Sequence, residues 1–231
     1  MSGPKHVLIT GAGRGLGRHI ALRALEAGYE VTGLARTQGE VGHDDYPMIL
    51  CDVSDAAAVA AAFRTLRGRP LWGLIAAAGA ASMNLHLTTP PETMRRLLSV
   101  NLLGTMLCAA EAGRLMARHR QGRIITFSSI AVALGLAGEA SYVAAKSGIE
   151  GFSRAFAREM APLGITVNVV APGPVKTALI RGVPETKIAA LRARQVLPGE
   201  MTAEDVWHSV SWLLDERSAA LSGEVLHVGG V

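Results

Sequence analysis

Residues 6–28 read "HVLITGAGRGLGRHIALRALEAG". An apolar, β-branched run (His6 to Thr10) gives way to a glycine-rich turn (Thr10 to Gly17) and then to a helical pattern over 15–27. Glycines between a strand and a helix allow a tight turn and let the backbone approach a ligand closely. The first turn of such a helix presents unpaired N–H groups and the positive end of its dipole, which together favour an anion such as a pyrophosphate. Glycine loops are common. This one gains weight from lying between strand and helix within the first twenty residues, so Gly11, Gly13, Arg14, Gly15, Leu16 and Gly17 are candidate contacts to a dinucleotide.

Outward from that unit, apolar strand-like runs alternate with helical patterns to the end of the chain. Strands are expected at "HVLIT", "EVTGLA", "PMILCDV", "WGLIAAA", "GRIITFSS", "ITVNVVA" and "GEVLHVG". Helices are expected near 15–27, 55–67, 91–119, 142–162 and 203–215, with Asp55 and Pro90-Pro91 as start signals and Gly164 as a stop. Strand–helix alternation of this kind specifies an α/β fold, a doubly wound parallel sheet with helices on both faces. The dozen residues "RTQGEVGHDDYP" between the second and third strands are too polar and glycine-rich for a good helix, so that crossover is expected to be a loop. No linker or repeat divides the chain, and one domain over 1–231 is expected.

Composition narrows the function classes. The chain has 231 residues, 49% hydrophobic and 18% charged, which suits a sizeable core and argues against disorder. No basic and apolar leader precedes the first strand, and no run nears 18 apolar residues, so a cytoplasmic protein is expected. Two cysteines, Cys51 and Cys108, make neither a disulfide framework nor a zinc site, and the seven histidines show no ligand spacing, so no metal is expected. A formal charge of +4 suits an anionic ligand without demanding nucleic acid.

The second strand refines the nucleotide. An acidic residue about twenty positions beyond the glycine loop would accept the ribose hydroxyls of NAD. Here Ala35 and then Arg36 stand at the strand end, and Arg14 lies in the loop. Two arginines without a carboxylate suit a 2′-phosphate through charge-assisted hydrogen bonds, so NADP(H) is the expected cofactor.

The segment "EASYVAAKSG" (Glu139 to Gly148) places Tyr142 and Lys146 four apart, one above the other on a helix. Spacing alone leaves open whether they pack or move a proton. Ser129 stands thirteen residues before the tyrosine. With "TGAGRGLG", "CDVSD", "AAAG", "SVNLLGT", "ITFSS" and "APGPVKT", this chain resembles the short-chain dehydrogenases/reductases over essentially its full length. The resemblance implies a Rossmann fold with a seven-stranded parallel sheet. It makes Tyr142 the general acid/base, Lys146 its partner and a ribose contact, Ser129 the holder of the substrate oxygen, and Asn101 the anchor of a water beside Lys146. It further implies that Asp52 and Val53 flank the adenine, that Ala78 and Gly79 lie under the cofactor, and that Pro172, Gly173, Val175 and Thr177 meet the nicotinamide end. Chemistry agrees: a phenol's pKa of about 10 is too high for acid/base work near neutrality, and a neighbouring ammonium is expected to lower it.

Among subfamilies, "RQGRIITFSS" and "GITVNVVAPGPVKT" look most like 3-oxoacyl-acyl-carrier-protein reductases. That likeness implies NADPH-dependent reduction of a 3-oxoacyl thioester on acyl carrier protein or CoA, with Arg120 at a carrier-docking position and Leu163 where a second basic residue is usual. An alcohol dehydrogenase for a sugar, steroid or secondary metabolite, and a non-catalytic NADP-binding regulator, are the alternatives. The basic segment near 178–200, with Arg181, Lys187, Arg192 and Arg194, is the expected substrate lid. His86 is a possible substrate contact. Ala76-Ala77-Ala78-Gly79 lacks the two asparagines usual in the family, so the fourth strand is expected to rely on packing. The family's pairing of long helices across a two-fold axis implies a homotetramer, or a dimer.

Overall fold

The computed structural model describes residues 3–37, 46–177 and 185–231. Seven strands form one sheet: β1 (His6–Thr10), β2 (Glu30–Ala35), β3 (Met48–Leu50), β4 (Leu71–Ala76), β5 (Gly122–Phe127), β6 (Ile165–Pro172) and β7 (Val225–Val228). Their order is β3-β2-β1-β4-β5-β6-β7 and every pairing is parallel. Strand order therefore reverses between β1 and β4, the switch point at whose carboxyl edge a doubly wound sheet opens a crevice.

Alternation along the strands builds two cores. Val7, Ile9, Ile75 and Ile125 face one side, where they meet α1 (Gly15–Glu26) and α8 (Ala203–Leu214) through Ile20, Ala24, Val210 and Leu213. Leu8, Leu34, Leu74 and Ile124 face the other, under α2 (Ala56–Arg64), α4 (Gly104–Ala117) and α6 (Ala140–Met160), through Phe63, Ala112 and Phe156. A strand with apolar residues on both faces reads as a continuous hydrophobic run, which is why the buried strands β1, β4, β5 and β6 stand out in the sequence.

Capping explains the helix starts. Asp55 accepts the N–H groups of Ala57 and Ala58 at α2, and Thr202 with Asp205 forms a reciprocal capping box at α8. The helix expected over 91–119 is α3 (Pro91–Leu97), a π-helical stretch over Leu98–Leu103, and then α4. Two short helices escaped the periodicity: α5 (Ile130–Leu134) and α7 (Glu185–Arg192). The expected run "GRIITFSS" ends as a strand at Phe127, because Ser129 caps α5 instead. The crossover expected as a loop falls mostly on 38–45, and part of the expected lid on 178–184; both lie outside the described residues.

Candidate active site

Parallel strands carry the ends of β1, β2, β4, β5 and β6 to one edge of the sheet, and almost every candidate residue lies there. At the nucleotide end, Gly11 and Gly15 adopt φ of 71° and 57°, the left-handed region that favours glycine. A Cβ on Gly17 would overlap the Gly11 carbonyl, so the loop closes on its own helix. Arg14 stands at the N-cap with no side-chain cap bond, and the first turn of α1 holds no acid. Among the described residues, the N–H groups of Gly13, Arg14, Gly15 and Leu16 meet no acceptor. Four free donors, a helix dipole and no competing carboxylate fit the diphosphate of a dinucleotide.

Arg14 and Arg36 are both exposed, and the paired strands β1 and β2 bring them to the same edge. The Asp52 carboxyl is held below its usual range by hydrogen bonds from the Ser54 hydroxyl (2.7 Å) and N–H (2.9 Å), and further by the Arg36 guanidinium. Arg36 is thus close enough to feel the residue expected beside the adenine. Val53 is buried, and Gly104 lets the helix pack directly on it: a Cβ there would lie 2.8 Å from Val53 Cγ2. Thr177 approaches the glycine loop, 3.7 Å from where a Cβ on Gly15 would stand. Val175 bridges to Met201, and Gly173 N–H donates to the Val228 carbonyl at 3.2 Å.

The Ala-Ala-Ala-Gly strand end has a tie that the sequence did not suggest. The Thr10 hydroxyl accepts the Ala78 N–H at 3.0 Å, so β4 is bound to β1 by a side chain from the other strand. Beyond Gly79, Asn101 grips Ala80 twice: its Oδ1 accepts the Ala80 N–H and its Nδ2 donates to the Ala80 carbonyl, both at 2.9 Å. Asn101 is fully buried within the π-helical stretch, a wide turn of the kind often found at functional sites. A Cβ on Gly79 would lie 3.1 Å from Asn101 Oδ1 and 4.0 Å from Lys146 Nζ, which places the three together. Asn101→Ala removes both bonds to the half-buried Ala80 and leaves a cavity at a fully buried position, and is expected to cost about 1–3 kcal/mol of stability. Chemical denaturation would measure it; a change below about 0.5 kcal/mol, the scatter of neutral substitutions, would show that the grip contributes little.

At the chemical end, Ser129 Oγ accepts the Ala131 N–H at 3.2 Å as N-cap of α5, and Tyr142 lies near enough to Ser129 for that hydroxyl to favour the ionised phenol. Tyr142 and Lys146 rise from α6 as expected, with Nζ 5.7 Å from the phenol ring centre. The expected lowering of the phenol pKa is not found. Burial pushes Tyr142 up to about 12, opposed by Ser129 and reinforced by the Glu139 charge, while burial pushes Lys146 down to about 8. Lys146 points its ammonium at the Phe127 carbonyl, 2.7 Å away. Desolvation is the largest cause for both groups, since burial disfavours the charged form of each. Next to Ser129, Ser128 donates to Glu150 at 2.6 Å, so a third residue on the same face of α6 ties that helix to the end of β5.

Of the lid's described cations, Arg192 is matched by acids. Arg192 pairs with Glu185 (3.2 Å) and Glu200 (3.7 Å), and Arg194 donates to the Leu134 carbonyl. Lys187 sits over Met83 with no acidic partner among the described residues. Arg181 lies outside them, and His86 is exposed in a short turn. Arg120 falls elsewhere. It precedes β5, whereas Ser129 follows it, so about 20 Å of strand separates them at ~3.3 Å per residue. Its guanidinium donates to the Pro162 carbonyl at 2.7 Å.

Comparisons with known proteins agree with this geometry. The family model described as enoyl-(acyl carrier protein) reductase matches residues 11–230. The 3-oxoacyl-[acyl-carrier-protein] reductase FabG of Escherichia coli (strain K12) is 35% identical over 237 residues, covering 98% of this chain and 96% of that protein. The short-chain reductase protein NovJ of Streptomyces niveus is 36% identical over 242 residues, covering 96% and 92%. The 3-oxoacyl-[acyl-carrier-protein] reductase MabA of Mycobacterium tuberculosis (strain ATCC 25618 / H37Rv) is 32% identical over 234 residues, covering 98% and 92%.

Proposed function

The chain belongs to the short-chain dehydrogenase/reductase family and is an oxidoreductase of keto or hydroxyl groups; on that footing we propose that it reduces a 3-oxoacyl thioester, on acyl carrier protein or CoA, or a similar ketone, using NADPH. The observation that carries the reading is a buried Tyr142 and a buried Lys146 on one face of α6, with Ser129 near the phenol. When bound, NADPH supplies a hydride to the carbonyl carbon. The diphosphate would rest on the N–H groups of Gly13 to Leu16, with Arg14 and Arg36 at the 2′-phosphate. Asp52 and Val53 would meet the adenine, Ala78 and Gly79 the sugar face, and Pro172, Gly173, Val175 and Thr177 the nicotinamide.

Ser129 is oriented as a donor because its oxygen already accepts the Ala131 N–H. Two O–H groups then face one substrate oxygen and stabilise the charge that gathers on it. Tyr142, raised to about 12, remains protonated through neutrality and is therefore set to act as the acid in reduction. It gives its proton to that oxygen, and the Lys146 ammonium steadies the phenolate left behind. Asn101 keeps the Gly79–Ala80 backbone and the lysine in register.

The matched family name refers to an enoyl reductase, and two relatives are named 3-oxoacyl reductases. Two hydroxyls turned on one oxygen favour C=O over C=C reduction. With NADPH and purified protein, acetoacetyl-CoA is expected to be turned over and crotonyl-CoA not. Turnover of crotonyl-CoA alone would reverse the assignment.

Because Arg120 lies at the other edge of the sheet, a carrier protein docked there would deliver its acyl group to a site on a second copy. The exposed Leu98, Leu103 and Met106 supply an apolar face for such a copy, and a homotetramer is the assembly this reading takes. Among the described residues no helix is long and apolar enough to cross a membrane. A cytoplasmic location is part of the same reading.

A further inference from the structure

Tyr46 lies at the end of the twelve-residue connection between β2 and β3, in a stretch whose sequence carries no motif. It is nevertheless 3% exposed, and it belongs to the same core as Ile9, Ala12 and Ile20. Its ring edge would stand 2.8 Å from a Cβ on Gly33, so that strand position is open only because it is glycine. Its hydroxyl donates to the Ala12 carbonyl at 2.8 Å.

Ala12 is the second residue of the glycine loop, and three bonds hold the loop there. The N–H groups of Gly11 and Ala12 both donate to the Leu34 carbonyl, at 2.7 and 3.3 Å, and Tyr46 takes the Ala12 carbonyl inward. A peptide unit is planar and trans, so its C=O and N–H point in opposite directions. Drawing the Ala12 carbonyl towards Tyr46 therefore turns the Gly13 N–H away from the core. Gly13 is a buried residue, yet its N–H has no acceptor among the described residues. Such a donor is rare in a native fold unless a ligand completes it.

We propose that Tyr46 is a positioning residue for the diphosphate: its hydroxyl orients the Ala12–Gly13 peptide so that the first free N–H of the loop faces the bound anion. The inference rests on the dinucleotide reading of the loop and adds a residue from a different strand connection to it. It differs in kind from the arginines, which would select the 2′-phosphate. Tyr46 acts on the part of the ligand that NADPH and NADH share.

Tyr46→Phe keeps the ring in the core and removes one oxygen. By calorimetry, the Kd values for NADPH and NADH are expected to rise together by about 5- to 10-fold, the worth of one hydrogen bond, with their ratio unchanged. The Kd for adenosine 2′-monophosphate, which has no diphosphate, should stay within about twofold, and so should kcat while the KM for NADPH rises. An unchanged NADPH Kd would overturn the proposal. So would an equal loss for adenosine 2′-monophosphate, which would make Tyr46 a packing residue only. Failure of the unaltered protein to bind any of the three would instead remove the dinucleotide reading on which it stands.

Discussion

Tyr142→Phe is expected to lower kcat for ketone reduction by about 10³-fold, in the middle of the range that general acid catalysis supplies, while the Kd for NADPH stays within about twofold. The substitution deletes a single oxygen from a side chain that is 8% exposed, so the helix and core around it should be preserved. What is lost is the acid that the proposed function assigns to the substrate oxygen, together with one of the two hydrogen-bond donors it assigns there. Ser129 remains, held by the Ala131 N–H, and can still stabilise charge without delivering the proton. Steady-state kinetics with acetoacetyl-CoA, set beside a fluorescence titration with NADPH, separates the two effects. Activity above a tenth of the original would mean that the proton comes from elsewhere and that the Ser129–Tyr142–Lys146 assignment is wrong.

The second large effect is expected at Arg36. Arg36→Asp replaces a cation at the end of β2 by an anion, next to an Asp52 whose carboxyl already responds to the arginine's charge. A charge-assisted hydrogen bond to a 2′-phosphate is worth about 1.5–3 kcal/mol, and the new carboxylate adds repulsion while offering an acceptor to the ribose hydroxyls of NAD. The ratio of kcat/KM for NADPH over NADH should therefore fall by about 10²-fold or more, mostly through KM. The site is exposed, so the effect should weaken as ionic strength rises. A ratio that does not move would remove the NADP assignment and leave the dinucleotide reading intact. Tyr46→Phe is the complementary case, since there both cofactors should weaken and the ratio should hold.

Much of this was legible because the cues are local. The strand, glycine turn and helix of residues 6–28 lie in one stretch, and seven apolar runs specify seven parallel strands. The Tyr142–Lys146 spacing needs only a helix. Asn101 illustrates the boundary. Its role was inferred from resemblance, but the two bonds to Ala80 and the π-helical turn that aims it depend on how α4 meets the end of β4. The same holds for Thr10, which ties Ala78 across strands.

The pKa expectation shows where local reasoning reverses. One helical turn puts a cation near a phenol and argues for a lowered pKa; burial of both groups, set by the whole fold, pushes Tyr142 up and Lys146 down. The ion pairs of Arg192 with Glu185 and Glu200 likewise depend on how the segment folds back on itself. Sequence by itself determined the α/β architecture, the glycine loop and the placing of Tyr142 and Lys146 on one helix face, because periodicity and short spacings encode strands, turns and helix faces directly. Tertiary structure alone decided which residues hold those parts in place and how their protons are poised. Tyr46 on Ala12, Thr10 on Ala78 and the desolvation of Lys146 all arise between segments distant in the chain, where no local pattern records the contact.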